Sequence, residues 1–235
     1  MAPIRNYSGW NQRASDSQEP IEPYQKFFFI CEGANTEVFY FKRLIDLRKQ
    51  LGIHPLIDIC LLEKTEEDQN LSNPKRLIEF AEEQKANTDI SFDSEHDHMI
   101  VVIDADIYER KPEGYPGILK MAKDYNDILA VTNPAFELFL LLHYEDSYEM
   151  NIMPNAEQIL KNDKVKNRRF ISHLFTQKSG MNSKKNAAVG DLAANLDIAI
   201  MQEQKLNQDA EHCLGRLTSN IGKILSDIRN IQDIS

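Results

Sequence analysis

The chain has 235 residues, of which 42% are hydrophobic and 27% are charged, and its formal net charge is −10. This length permits one large domain or a core with an appended subdomain, and the composition is typical of an ordinary globular protein rather than a disordered or fibrous one. The negative charge excludes a protein that coats nucleic acid by bulk electrostatics. It does not exclude one in which acidic residues bind a metal and a local basic patch holds a phosphate backbone.

The sequence predicts no membrane span and no secretory signal. The longest apolar runs, such as 136–142, are far shorter than the roughly 20 residues that a bilayer requires. Residues 1–26 are polar and lack the apolar segment of a signal peptide. We therefore expect a cytoplasmic protein without a membrane partner. Its three cysteines have no metal-binding spacing and are predicted to be buried free thiols.

The first half of the chain alternates apolar strand-like runs with helical patterns, whereas the second half is mainly helical. Residues 1–24 are predicted to form a flexible arm, 25–146 an α/β core, and 147–235 a helical region packed on the core. The core is expected to hold a mainly parallel four-stranded sheet flanked by helices. In chain order, we predict strands at 26–31, 56–62, 99–103 and 128–132, with helices at 36–49, 74–85, 117–125 and 135–144. Further helices are predicted at 157–161, 168–176, 187–205 and 217–233.

Acidic and amide side chains follow three of the four predicted strands. Glu32 follows the first strand, Asp104 and Asp106 follow the third, and Asn133 follows the fourth. Parallel strands with right-handed crossovers place their carboxyl ends along one edge of the sheet, where open α/β sheets hold ligands. The four side chains are therefore expected to share one crevice.

Several carboxylates in a partly buried crevice repel one another, and a bound cation is the usual compensation. Oxygen ligands of this kind suit Mg²⁺ or Mn²⁺. In Asp104-x-Asp106 alternate residues of an extended chain point the same way, and Glu37 could reach the same crevice from the first turn of a helix. Taken singly, Glu32-Gly33 and the Asp104–Asp106 pair are each more typical of an ordinary turn; together they predict a metal site.

Glu137 is the only acidic residue in a helix that is otherwise apolar and therefore predicted to be buried. A buried carboxylate needs a partner, which could be the metal, a second metal, or a basic residue from the helical half. A structural ion pair is equally compatible with the sequence. His143, at the end of the same helix, is interpreted as a packed, hydrogen-bonded histidine rather than a base. The acidic and histidine-rich stretch 93–98 is interpreted as a solvated loop.

A basic stretch lies in the helical half. This stretch is interpreted either as a solvated helical face or as a surface that contacts phosphate groups of nucleic acid. Its candidate nucleic-acid-binding residues are Lys161, Lys164, Lys166, Arg168, Arg169, Lys178, Lys184 and Lys185.

Three motifs, FFFICEGANTEVFYFKRL, MIVVIDADIYE and LAVTNPAFELFLLLHYED, resemble in this order the RloB family, which includes the abortive-infection protein AbiLii. The resemblance covers about 26–146 and, more weakly, the ending LTSNIGKILSDI. It implies a Toprim-like core in which Glu32, Asp104 and Asp106 are Mg²⁺ (or Mn²⁺) ligands or general acid/base groups. Glu37 is one position later than the similar glutamate of OLD-type nucleases, and Ala105 stands where many relatives have arginine.

The resemblance further implies a role as the nuclease effector subunit of a bacterial anti-phage abortive-infection system. A separate ABC-type or AAA-type ATPase is the expected partner, because the chain has no GxxxxGK[ST] motif of its own. A non-catalytic Toprim-fold regulatory or binding subunit is the alternative, and primase-like nucleotidyl transfer is a third option. The substrate, DNA or RNA, is left open, as is assembly into a homo-oligomer.

Overall fold

The computed structural model describes residues 23–64 and 73–231. The predicted arm at 1–24 therefore lies outside the described residues, except for its last two. The strands are β1 Gln25–Cys31, β2 Ile57–Leu62, β3 His98–Asp104, β4 Ile128–Asn133, β5 Lys164–Val165, β6 Arg168–Arg169 and β7 Thr218–Ser219. The α-helices are α1 Thr36–Leu47, α2 Pro74–Lys85, α3 Tyr115–Asp124, α4 Glu137–Leu141, α5 Ala156–Lys161, α6 Phe170–Ser179, α7 Leu196–Glu203 and α8 Ile221–Arg229.

The central sheet has the strand order β2-β1-β3-β4-β7. The first four strands are parallel to one another, as predicted, and β7 pairs antiparallel with β4. The prediction of four strands was therefore one strand short. The missing strand comes from the C-terminal region and contains only two residues, which is too short to show the alternation by which a strand is recognised.

Helices cover both faces of the sheet, which explains why its strands are continuous apolar runs. In β1, Phe27 and Phe29 pack into a core with α1, α4 and the C-terminal helices. Phe28 and Ile30 point the other way, into a second core with α2 and α3. Cys31, Cys60 and Cys213 are buried free thiols, as predicted.

The C-terminal region departs from the predicted helices at three places. Arg168–Arg169 pair with Lys164–Val165 in a small hairpin, so the helix predicted from 168 begins at Phe170. The helix predicted at 187–205 is a 3-10 helix, Ala187–Asn195, followed by α7. The helix predicted at 217–233 begins only at Ile221, because the residues just before it belong to β7.

The 3-10 helix lies directly against α1. A Cβ atom at Gly190 would lie only 2.4 Å from the carbonyl oxygen of Phe39, so only glycine permits this approach. The contact ties the C-terminal region to the helix that carries Glu37. None of the helices in 23–64 and 73–231 is both long and apolar enough to cross a membrane.

Candidate acidic cleft

A cleft of about 390 Å³ opens at the carboxyl edge of the parallel strands. All five of the predicted acidic residues line it, although they come from four separate parts of the chain. They are Glu32 after β1, Glu37 in α1, Asp104 and Asp106 at and after the end of β3, and Glu137 at the start of α4.

Glu32 and Asp104 are neighbours because β1 and β3 pair in parallel register. The Glu32 amide donates to the Val102 carbonyl at 3.0 Å, which extends the pairing beyond the last residue of β1. The Asp104 amide in turn donates to Glu32 Oε2 at 3.2 Å. Thr132, the partner of Asp104 in β4, donates its hydroxyl to Asp104 Oδ1 at 2.7 Å. Backbone pairing therefore sets the position of both carboxylates.

Glu37 lies in the first turn of α1 and its carboxylate lies over Gly33. A Cβ atom at Gly33 would lie 2.1 Å from Glu37 Oε2, so a side chain at position 33 would displace this carboxylate. The glycine that follows Glu32 thus leaves room for the second glutamate. The one-residue offset of Glu37 does not keep it out of the cleft.

Glu137 is buried, as predicted, with 5% of its surface exposed. Its Oε1 accepts hydrogen bonds from the hydroxyls of Ser172 and Ser183, both at 2.8 Å. These hydroxyl partners come from the helical half, although the sequence had suggested a metal or a basic side chain. The basic residue Lys184 lines the same cleft.

Two of the eight basic candidates, Arg169 and Lys184, line the acidic cleft. A guanidinium nitrogen of Arg169 lies 3.8 Å from Asp106 Oδ2, and another donates to the Asn162 carbonyl at 3.2 Å. Lys161 lines a neighbouring cavity instead. The other five candidates line neither cavity; they are Lys164, Lys166, Arg168, Lys178 and Lys185.

Burial and like charge together raise the pKa of the cleft acids. Burial raises the pKa of Glu32 to about 7, with smaller contributions from the negative charges of Glu37 and Asp106. Burial also raises the pKa of Glu37, to which Glu137 adds and which Lys184 opposes. The pKa of Asp104 is raised by burial and by Glu37 and Glu32. The cleft therefore concentrates negative charge that its own cations do not fully offset.

Three other predictions on polar residues had different outcomes. His143 is buried and hydrogen-bonded, as predicted, to the Tyr40 hydroxyl at 2.9 Å and the Phe139 carbonyl at 3.0 Å. Asn133 does not line the cleft, because its amide turns away to the Glu109 carboxylate at 2.6 Å. The helix predicted at 135–144 is shorter than expected and spans Glu137–Leu141. The stretch 93–98 is largely solvated, but Asp97 is buried.

The donor set of the cleft fits a hard divalent cation, because it consists of carboxylate oxygens whose charge is poorly compensated. In the described ranges, however, no three His, Cys, Asp or Glu side chains form a group that could hold a metal ion. Mg²⁺ characteristically keeps several waters and uses one or two carboxylates together with substrate phosphate, so it does not need a preformed cage.

These features define an α/β protein whose acidic side chains converge at the carboxyl edge of a mostly parallel sheet, with two cations beside them. The family model described as RloB-like protein matches residues 27–228, so the chain belongs to the RloB-like family. The match confirms the resemblance and extends it through most of the C-terminal region. Comparison with curated proteins and with solved structures found no match.

Proposed function

We propose that the protein is a divalent-metal-dependent nuclease that acts as an effector in bacterial anti-phage defence. The observation that carries the proposal is the convergence of five carboxylates in one cleft, beside Arg169 and Lys184. Phosphodiester hydrolysis requires acidic groups for a metal and cations for the substrate, and the cleft offers both. Membership of the RloB-like family fits a role in defence.

Glu32 and Asp104 would hold the Mg²⁺ or Mn²⁺ ion together with waters and the substrate phosphate, while Asp106, Glu37 and Glu137 line the same cleft and could contact the ion through water or bind a second ion. When bound, such an ion neutralises charge on a phosphate and activates a water molecule. Thr132 and the backbone pairing of β1 with β3 keep Asp104 and Glu32 in place. The site therefore depends on the sheet rather than on a loop.

Side chains of the protein itself would bind the substrate phosphate and keep the carboxylates in place. Arg169 and Lys184 would bind the phosphate and orient it toward the carboxylates. In the metal-free cleft burial raises the pKa of Glu32 to about 7, so binding of the ion would displace a proton from part of the protein at neutral pH. Ser172 and Ser183 would keep Glu137 in place at the rear of the cleft.

The finer family features are part of the same proposal. A Toprim-like core is supported by the four parallel strands and by the acids that follow β1 and β3. An ATPase partner is what the family resemblance implies, and it would be a separate subunit because this sequence has no GxxxxGK[ST] motif. The GxxxxGK[ST] motif forms the phosphate-binding loop of many ATPases, so the partner rather than this chain would hydrolyse ATP.

The test is cleavage of mixed DNA and RNA by the purified protein with Mn²⁺, with and without the ATPase. We expect Asp104→Asn and Glu32→Gln to lower the rate by roughly 100-fold or more, because each removes a charge from the cleft. Asp124→Asn is the matched control, since Asp124 is an exposed residue of α3 that pairs only with Lys120. Full activity in a folded Asp104→Asn variant would disprove the assignment.

A non-catalytic regulatory subunit is the second candidate, and the lack of a preformed three-ligand group favours it. Thermal unfolding with increasing Mg²⁺ or Mn²⁺ distinguishes the two. A catalytic cleft should bind the ion and raise the midpoint, and Asp104→Asn should abolish the rise. An unchanged midpoint at millimolar metal supports the non-catalytic candidate.

A further inference from the structure

A second cavity of about 290 Å³, which we call the side pocket, adjoins the acidic cleft. The two share Asp106, Asn162 and Arg169 as lining residues, so these three side chains lie at the boundary between them. The side pocket adds Arg110, Lys161 and Glu109 to its walls and thus holds three basic and two acidic side chains. The acidic cleft has five carboxylates against two cations, whereas in the side pocket the cations outnumber the carboxylates by one.

Asn162 lies between the two cavities and carries a polar group without a partner. Only 3% of its surface is exposed, and its φ of 45° places it in the left-handed region at the end of α5. Its Oδ1 accepts a hydrogen bond from the Ile171 amide at 3.2 Å, and its carbonyl binds Arg169. Among the described residues, its Nδ2 has no hydrogen-bond partner. Buried donors are rarely left unpaired, so this amide points to a ligand acceptor.

Two of the three cations in the side pocket, Arg110 and Lys161, have fewer contacts within the pocket than its acid Glu109. Arg110 is exposed and forms no hydrogen bond or ion pair with any residue in 23–64 or 73–231. Lys161 pairs with Glu157, one helical turn away on an exposed surface. In contrast, Glu109 Oε1 already accepts bonds from Asn133 Nδ2 at 2.6 Å and the Gly215 amide at 2.7 Å. An anion entering the pocket would therefore meet available donors.

We propose that the side pocket binds a phosphate group next to the one cut in the acidic cleft. Arg110 and Lys161 hold this phosphate, and Asn162 Nδ2 donates a hydrogen bond to it. The substrate is then a polynucleotide strand with at least one further phosphate beside the cut, rather than a mononucleotide. This inference rests on the proposed nuclease function of the cleft and adds Arg110 and Asn162 to its substrate contacts.

The first test measures binding of a fluorescent single-stranded oligonucleotide, as DNA and as RNA, with Ca²⁺ present. We expect Arg110→Gln and Lys161→Gln each to weaken binding roughly fivefold and to reduce the slope of log affinity against log salt by about 0.7, the value for one lost contact to a single strand. Asn162→Asp should weaken binding more strongly, because it keeps the acceptor for Ile171 but replaces the unpartnered donor by an oxygen and adds a negative charge that repels the phosphate. Lys120→Gln is the control, because Lys120 is an exposed residue of α3 that lines neither cavity.

The second test replaces single phosphodiester groups of the strand by neutral methylphosphonates and follows both binding and Mn²⁺-dependent cleavage. Neutralising the linkage next to the cut should weaken binding and cleavage by the unmodified protein. It should have little further effect on binding and cleavage by Arg110→Gln. If Arg110→Gln and Asn162→Asp behave as the unmodified protein does, the side-pocket assignment is wrong, even if the protein cleaves. Binding with the expected losses but without cleavage supports the side pocket and counts against the nuclease. Failure to bind either strand overturns the inference.

Discussion

Two of the regions in which the protein buries carboxylates differ in how they surround the buried charge. Glu203, at the end of α7, is completely buried, and burial raises its pKa, as it does for the acids of the cleft. Four donors surround it: Ser219 Oγ at 2.5 Å, the amides of Gly222 and Lys223 at 2.9 and 2.7 Å, and Gln208 Nε2 at 3.0 Å. Glu203 thereby joins α7 to β7 and to the first turn of α8.

The cleft acids have fewer donors and face one another. Asp104 accepts a hydroxyl from Thr132, and Glu32 accepts the Asp104 amide, while Glu37 and Glu32 both raise the pKa of Asp104. Burial alone therefore does not distinguish a functional acid from a structural one. The distinction lies in whether neighbouring donors satisfy the charge or leave it for a ligand.

The largest effect expected from this comparison is the loss of stability in Glu203→Ala. The variant would leave the Ser219 hydroxyl and two backbone amides buried without an acceptor, so we expect unfolding free energy to fall by about 3–5 kcal/mol. Glu149→Ala, which removes an exposed glutamate paired with Lys205, should cost less than about 1 kcal/mol. Chemical denaturation measures both. A similar cost for the two variants would contradict the structural role of Glu203.

In the metal-free protein, Glu32→Gln is expected to raise the unfolding free energy, whereas Glu203→Ala lowers it. Because the folded-state pKa of about 7 lies above the ordinary value of 4.5, the folded protein retains a proton that the unfolded chain releases. Wild-type stability should therefore fall as pH rises from about 4.5 through 7. At pH about 8 the variant should be more stable than the wild type by about 2 kcal/mol. Each pKa unit corresponds to about 1.4 kcal/mol, and the partial solvation of Glu32 reduces the total.

Unfolding of both proteins at pH about 5 and about 8 checks this sign. The advantage of Glu32→Gln should shrink at the lower pH, where Glu32 is protonated in the folded state. It should also shrink when Mg²⁺ is added at the higher pH, if the ion occupies the cleft. An advantage that is independent of pH would show that the charge of Glu32 is not what destabilises the cleft.

The smallest effect is expected for Gly33→Ala. The new methyl group would push the Glu37 carboxylate aside, and because this is the end of a flexible side chain, stability should fall by less than about 1 kcal/mol. The metal-induced rise in the unfolding midpoint should nevertheless decrease. Gly117→Ala is the matched control, since a Cβ there meets nothing within 4 Å and α3 should gain about 0.5–1 kcal/mol. An unchanged metal response in Gly33→Ala would remove Glu37 from the ligand set.

The parallel part of the fold and the five acids were predictable because both follow from strong local patterns. Strands buried on both faces appear as continuous apolar runs, and β1 and β3 were placed to within one residue at each end. Parallel topology then brings Glu32 and Asp104 together, although 72 residues separate them. Glu137 was recognisable because a charge in an apolar helix contrasts with its neighbours.

The partners of these acids were not predictable, because they depend on how the C-terminal region packs. Serines such as Ser172 and Ser183 are common, and nothing in their local sequence indicates a bond to Glu137. The two-residue strands β5, β6 and β7 are too short for any periodicity. Asn162 carries no sequence signal, since its importance lies in an amide that packing leaves unpaired.

The pairing of β7 with β4 also affects when the fold can be completed during synthesis on the ribosome. Asn220 Oδ1 accepts a hydrogen bond from the Val131 amide, and its Nδ2 donates to the Leu129 carbonyl, so the same residue covers the backbone of β4 on its outer edge. Val131 and Asn220 are 89 residues apart. On the ribosome, β4 therefore emerges long before the residues that cover it, and Arg169 and Lys184 also follow it. A nascent chain therefore cannot complete the cleft until the residues up to Lys184 have emerged, well after β1 and β3.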